Sequence, residues 1–566
     1  MTGLKIPVGV SDFGKIRENG YYYIDKSGLI RELLKTESTE VTLFTRPRRF
    51  GKTLNMSMLS CFFDIRRDSR KLFEDLEISK DRNLCKDWMN QWPTLLITFK
   101  DVDGLNIQSA RGMLRDRVAN LCNEHMYLTQ SDKVNENDCK VFEQLADTVD
   151  GKVSDAQLKT SVALIMRMMR DYYEKPVVLL LDEYDVPLAK ASSNGYYDEM
   201  LELIKTIMNT AFKDNNCLQF AVITGCLRIA KESIFTGTNN FTTDTISDSR
   251  YNEFFGFTHK EVETLLQETK CENHADKIQK WYDGYNFGDA DIYCPWDVLN
   301  YVKKAVTEGL KRPENFWENT SDNAVIGMFL QRTDFDVTEK FETLLAGGCV
   351  KEKISETLTY NFLTSSEENL WSLLYLTGYL TRGRYESIDE TDGPEGKETA
   401  LKIPNAEVMD IFRKSIADYY NQRAVQSNRT ELFRAMWSGD SEKLSEILSD
   451  LLFDTISFYD YAESFYHAFI TGLFSGSGYV VESNYENGLG RSDIVVKDRS
   501  KRRAVVFEAK IAASDEMMEQ ECKKALRQID EKKYARKIER SGFKNVIRYG
   551  IAFYKKDCLV ETNRVS

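Results

Sequence analysis

Val41–Leu59 reads VTLFTRPRRFGKTLNMSML, and its reading decides the fold. The apolar run Val41–Phe44 predicts a short buried strand. A basic turn, Thr45–Phe50, follows, then Gly51-Lys52-Thr53, then a segment of good helix formers. Strand, loop, Gly-Lys-Thr, helix is the layout of a phosphate-binding loop. Backbone N–H groups and a helix N-terminus face an anion, the lysine reaches the β and γ phosphates, and the threonine hydroxyl holds Mg²⁺. The usual pattern, G-x-x-x-x-G-K-[ST], opens on glycine; here Arg46 stands in that place. Arg46, Arg48 and Arg49 are therefore expected to add phosphate contacts where a glycine loop relies on backbone. Phe50, Gly51, Lys52 and Thr53 complete the expected nucleotide site.

Two later apolar runs supply the partners such a loop needs. In Lys175–Pro187, KPVVLLLDEYDVP, five apolar residues run without alternation, as in a strand buried on both faces of a parallel sheet. The run ends in Asp182-Glu183, and carboxylates at the C-terminal end of a central strand lie where ligands bind in open α/β sheets. Asp182 is expected to support Mg²⁺ and Glu183 to polarise the attacking water. Leu218–Gly225, LQFAVITG, reads as another buried strand ending at Thr224, with Arg228 just beyond. Thr224 suits a bond to the γ phosphate or the water, and Arg228 suits transition-state charge. Both also read simply as a strand end and a surface arginine.

At 566 residues the chain exceeds one core. It divides into residues 1–255, a helical lid over 256–350, a middle unit over 351–457 and a C-terminal unit over 458–566. No apolar run is long enough to cross a bilayer, and residues 1–15 lack the apolar segment of a secretory signal. The 11 cysteines are scattered without a CxxC pair, which reads as reduced thiols in a cytoplasmic protein. A net charge of −13 argues against a wholly basic nucleic-acid coat protein but leaves room for local basic patches. In the middle unit, helix, strand, loop and strand give the outline of a winged helix. Its loop carries Glu386, Asp389, Glu390, Asp392, Glu395 and Glu398, which repel phosphate and suit a protein contact instead.

Tyr459–Phe474 reads as an amphipathic helix containing Glu463, and Ser483–Arg491 as a flexible turn. Ser492–Val496 and Ala504–Lys510 read as a hairpin joined by the polar turn Lys497–Arg503. Asp493 lies near the start of one strand and Glu508 near the end of the other, so the hairpin sets them side by side. Glu508 and Lys510, two residues apart, share a face. Two carboxylates and a lysine are equipment for metal-dependent phosphodiester hydrolysis. Asp493, Glu508 and Glu463 would ligate Mg²⁺ or Mn²⁺, and Lys510 would orient the water. The spacing D-x14-E-x-K also arises by chance on an exposed hairpin. A helix over 514–539 carries Gln528, and Val546–Phe553 reads as the last strand. Arg491, Lys497, Arg499, Lys501, Arg502 and Arg503 form either a patch for a nucleic-acid backbone or a solvated turn.

RPRRFGKT, LLLDEYDVP, TGCLRIAKESIFTGTNNF, FFGFT and WYDGYNFG together resemble the AAA-ATPase-like family of bacterial proteins, whose members also open the phosphate loop with an Arg-Pro-Arg-Arg-Phe run. The order helix-Glu, strand-Asp, strand-Glu-x-Lys, helix-Gln, strand resembles the PD-(D/E)XK nuclease superfamily. Glu463, Asp493, Glu508, Lys510 and Gln528 match its pattern, and Ser492 stands where a proline is usual. The resemblance implies an α/β chain: a P-loop parallel-sheet ATPase-like domain, a helical and winged-helix-like middle, and a C-terminal α/β restriction-endonuclease-like domain. It implies ATP and Mg²⁺ or Mn²⁺ as cofactors, with Thr53 and Asp182 serving the metal at the nucleotide. It implies a nucleic-acid substrate, DNA rather than RNA, and self-association through the ATPase-like domain. The alternative is a nucleotide-dependent switch whose nuclease-like domain is catalytically silent.

Overall fold

The computed structural model describes residues 4–35, 39–147, 153–228, 241–317, 326, 338–358, 366–383, 398–426, 429–455, 463–474, 479–487, 490–555 and 557–563. Five strands, β1 (Val41–Thr45), β2 (Thr94–Thr98), β3 (Val177–Asp182), β4 (Leu218–Gly225) and β5 (Phe241–Asp244), form a sheet in the order β2-β3-β4-β1-β5. Every neighbouring pair is parallel. Every residue of β1 and β3 is buried, because helices cover both faces. Val178 and Leu180 of β3 face a core with Phe44 of β1 and with Met56 and Leu59 of the Lys52–Phe63 helix. Val177, Leu179 and Leu181 face the opposite core with Ile165, Met200 and Ile204, from the Asp155–Tyr173 and Tyr197–Phe212 helices. β4 lies between β1 and β3, so the loop after β1 and the carboxylates after β3 flank the end of the strand that carries Thr224.

The expected helical lid is only partly helical. β6 (Phe257–Thr258), β7 (Tyr285–Phe287) and β8 (Ala290–Tyr293) form an antiparallel sheet in the order β6-β8-β7. Gly288, at φ +56°, turns β7 back onto β8; its left-handed backbone is what a tight turn takes from glycine. The His259–Thr269 helix starts as the sequence suggests, with Thr258 and Glu261 closing a capping box. Further on, β9 (Val350–Lys353), β10 (Thr381–Arg382) and β11 (Glu398–Lys402) form an antiparallel sheet in the order β10-β11-β9. The Ala406–Gln426 helix follows. Of the acidic loop, Glu386, Asp389, Glu390, Asp392 and Glu395 lie outside the described residues.

β12 (Val480–Asn487), β13 (Gly490–Asp498), β14 (Arg503–Ile511), β15 (Asn545–Tyr554) and β16 (Asp557–Thr562) build a sheet in that order, with only β14 and β15 parallel. The turn expected over Ser483–Arg491 is mostly strand, in register from Val480–Lys497 to Asn487–Gly490. Polar side chains do not break a ladder, and proline, which would, is absent there. A strand the sequence reading lacked, β16, closes the edge. Phe507 stacks on Phe474 at 5.0 Å and Phe553 on Tyr466 at 4.1 Å, so the Glu463–Phe474 helix covers one face. The Met518–Glu531 helix covers the other, with Leu526 and Ile529 against Val495 and Val506.

A pair of buried acids joins the lid to the middle unit. Asp297 and Glu407 are 0 and 1 % exposed, and Glu407 Oε1 accepts the backbone N–H groups of Phe316 and Trp317. Burial, then the charge of Asp297, pushes Glu407 up to about 10. Burial also raises Asp297, against Cys294, Glu407 and Arg49, which lower it. A carboxyl whose folded pKa exceeds its unfolded value binds a proton on folding, so stability is lost as pH rises from about 4 through the raised value. Glu407→Gln keeps an acceptor for both N–H groups and needs no proton. The melting temperature of the variant is therefore expected to fall less than that of the wild type between pH 5 and 9. Parallel curves would show that the pair does not hold the extra proton.

Candidate functional site

Gly51, at φ +82°, caps the Lys52–Phe63 helix, and Arg49 also has positive φ, at +74°. These two residues wrap the loop over the end of β1. Lys52 is buried, and its Nζ donates to the carbonyls of Arg46 and Pro47, both at 2.8 Å. Thr53 is half-buried in the first helical turn. Across the crevice the Thr224 hydroxyl donates to Asp182 Oδ1 and lies 3.4 Å from the Glu183 N–H. Glu183 is half-buried with φ +56°. Burial, then Asp182, raises its carboxyl above the usual range, and Lys52 opposes the shift. Lys52, Asp182, Glu183 and Thr224 thus share one crevice at the strand ends.

The sequence reading missed Asp185, the second aspartate of DEYD. Its Oδ2 accepts the N–H groups of Cys226 at 2.9 Å and Leu227 at 3.0 Å, tying the end of β3 to the segment after β4. Gly225 is required there, since a Cβ would sit 2.6 Å from the Tyr184 ring. The only local signal was a carboxylate three residues beyond Asp182.

The arginine expectation needs correction. Arg46 is 0 % exposed; its Nη1 donates to the carbonyls of Thr45 at 2.9 Å and Asp244 at 3.0 Å, and Nη2 pairs with the Asp244 carboxylate. It lies against the rings of Phe255 and Phe287. A guanidinium committed in this way has no reach to a phosphate. Arg49 also turns aside, donating to the Phe316 carbonyl at 3.0 Å and stacking 4.3 Å from the Trp296 ring centre. Phe50 is a core residue between Tyr285 and Phe287. Arg48 is exposed. The backbone of Arg228 bridges to Thr357.

In the C-terminal sheet Glu508 is 1 % exposed, and its Oε1 accepts from the Gln528 amide and lies 3.5 Å from Lys510 Nζ. The described register between β13 and β14 ends at the pair Ile494–Phe507, one residue short of Asp493 and Glu508. Hard oxygen donors in this set suit Mg²⁺ or Mn²⁺. Among the described residues no group of three or more His, Cys, Asp or Glu gathers as a metal cage. Glu463 opens a helix on the opposite face from Gln528. That helix starts near the Lys510 end of the sheet, because Tyr466 stacks on Phe553, which pairs with Ile511. The basic run Lys497–Arg503 is not at this site, and the side chain of Arg491 is outside what the structure describes. Lys497 is buried against Glu482, and Arg503 pairs with Asp498 at 3.0 Å under the Trp437 ring. Arg499, Lys501 and Arg502 are exposed at the turn, about 17 Å of strand from Glu508.

The two constellations lie in a parallel-sheet domain and in a small mixed-sheet domain that follows it. Comparison agrees: residues 7–235 match the family described as "Predicted AAA-ATPase", and residues 461–563 match the PD-(D/E)XK nuclease superfamily. The chain therefore carries an AAA-ATPase-like domain and a PD-(D/E)XK superfamily domain. It is also 28 % identical over 420 residues to an "Uncharacterized protein in vnfD 5'region" of Azotobacter chroococcum mcd 1, covering 74 % of this chain and 70 % of the relative. Among the described residues no helix is long and apolar enough to cross a membrane.

Replacing Arg46 by alanine leaves Asp244 buried beside unsatisfied carbonyls. Loss of one partner from a buried pair costs about 3–5 kcal/mol, to be read as a lowered urea midpoint at unchanged slope. Arg46→Met with Asp244→Leu is expected to recover most of that loss. An Arg46→Ala protein of wild-type stability would mean that the pair does not hold the loop.

Proposed function

We propose that the chain is an ATP-binding module coupled to a metal-dependent nuclease acting on nucleic acid, with DNA as the first substrate to test. The observation that carries the nuclease half is the convergence of Glu508, Lys510 and Gln528 on one patch, with Asp493 next along β13 after the pair Ile494–Phe507. A divalent ion held by Asp493 and Glu508 would supply Lewis acidity to the scissile phosphate. Gln528 orients the Glu508 carboxylate by holding Oε1. Lys510, anchored beside the same oxygen, positions a water and offers positive charge to the developing phosphorane. In the nucleotide crevice Lys52 rests on two loop carbonyls, and a phosphate oxygen is the natural replacement for either. Thr224 fixes the Asp182 carboxylate, and the raised carboxyl of Glu183 suits it to accept a proton from water.

A second reading, a nucleotide-dependent switch with a silent nuclease fold, draws support from one observation. Glu508 is almost wholly buried and already accepts from the Gln528 amide, so metal entry has to compete with an existing bond.

Two measurements test the parts separately. ATP is expected to raise the melting temperature of the wild type but not of Lys52→Ala; equal shifts would remove the phosphate-loop assignment. Wild type with Mn²⁺ is expected to cut DNA, while Asp493→Ala and Lys510→Ala lose at least about a hundredfold in rate. A wild type that binds Mn²⁺ yet cuts neither DNA nor RNA would favour the switch.

A further inference from the structure

Away from both sites, a surface cleft of about 550 Å³ opens between the Ala275–Tyr282 helix and the segment 311–313. Lys277, Lys280, Lys311 and Arg312 line it together with Trp281. Asp276 is the one carboxylate in the lining. This is a dense positive spot on a chain whose net charge is −13. Lys277 Nζ donates to the Lys311 carbonyl at 2.8 Å, clamping the two walls together. Lys280, Lys311 and Arg312 are exposed, and among the described residues none of them forms an ion pair with a carboxylate. Trp281 is half-buried and packs on the lid core beside Tyr282.

A solvated helix face would spread its lysines towards water. Here they converge on a concavity with an indole in its wall, which hydration alone does not call for. Cations that meet phosphates, next to an aromatic face that meets a base, are how proteins hold single-stranded nucleic acid. A duplex keeps its bases stacked inside and offers the indole little. An acidic peptide matches the charge but leaves the ring unused.

We infer that this cleft binds single-stranded nucleic acid, with phosphates on Lys280, Lys311 and Arg312 and a base on Trp281. The inference takes its purpose from the nuclease reading and gives it a second contact with substrate. The cleft wall continues into Glu314, whose N–H and carbonyl both bond the Tyr282 hydroxyl, at 3.2 and 2.9 Å. Two residues later comes Phe316, the carbonyl that Arg49 of the phosphate loop holds. A strand in the cleft therefore lies against the same segment that the nucleotide loop grips.

The test is anisotropy of a fluorescein-labelled 20-mer of dT with the full chain, in EDTA and without nucleotide, across a range of KCl. Single-strand affinity falls with salt with a logarithmic slope of about −0.7 per phosphate contact. Lys280→Ala with Arg312→Ala is therefore expected to bind more weakly and to flatten the slope by about 1.4. Trp281→Ala is expected to weaken binding about tenfold or more at an unchanged slope. Poly-glutamate is expected not to displace the strand. Wild-type affinity and slope in the lysine–arginine variant, which alters only surface positions and so tests the cleft even if Trp281→Ala misfolds, would overturn the inference. So would displacement by poly-glutamate together with wild-type binding by a folded Trp281→Ala. EDTA silences cutting, so failure of the nuclease assay and failure of this one are separate results.

Discussion

The side chain at position 46 fixes the N-terminal half of the molecule. A guanidinium without solvent contact is costly unless its donors are met; among the described residues Nε of Arg46 finds no partner, and burial works against the charge on both Arg46 and Asp244. The pair endures because the carbonyls of Thr45 and Asp244 share the guanidinium with the carboxylate. This ties the end of β1 to the end of its outer neighbour β5. It also draws Phe255 and Phe287 over the guanidinium, which anchors the lid sheet. The Arg46 carbonyl is then left facing Lys52. A glycine at this position would free the backbone but strand Asp244. The loop sequence and a residue 198 positions away form one unit.

From that anchor a continuous set of contacts runs towards the C-terminal domain. Pro47 packs within 3.0 Å of where a Cβ on Gly378 would stand. Arg49 holds Phe316, the same stretch whose N–H groups Glu407 accepts, and Glu407 lies in the first turn of the Ala406–Gln426 helix. That helix shares a core with Phe469, Phe474, Phe507 and Tyr549. Contiguity of this kind supplies a physical route between the sites; energetic coupling is a separate quantity, which only measurements on both ends can provide.

Most of the sheet was legible because burial on both faces leaves an unbroken apolar run, as in Val177–Leu181, and because a glycine beside a lysine marks a loop. The β13–β14 hairpin was legible because two apolar runs flank a polar turn. What escaped depended on partners distant in sequence. Nothing near Arg46 announces Asp244. Lys497 looks like a surface charge until β12 brings Glu482 beside it, and Arg503 until Asp498 and Trp437 enclose it. Strands β7 and β8, of 3 and 4 residues, carry little periodicity to read, and β16 mixes polar residues into its run. The aromatic character of Phe50 gave no hint of whether it met a base or a core; only the packing of Tyr285 and Phe287 decides.

The outer edge of the C-terminal sheet has a consequence for how the molecule can be divided. The N–H groups of Cys558 and Val560 on β16 donate to the hydroxyls of Ser449 and Ser445, at 2.9 and 2.8 Å, and the Ser449 hydroxyl donates back to the Cys558 carbonyl. Both serines lie on the Ser441–Thr455 helix, upstream of the stretch that matches the nuclease superfamily. Tyr549 likewise bonds the Met436 carbonyl. An open strand edge is a template for pairing with another chain, and here two serines and a packed helix close it. The unit of ancestry and the unit of folding therefore have different starting points. A fragment excised at the first would keep every residue of its chemistry while baring a strand edge and an apolar face to its neighbours.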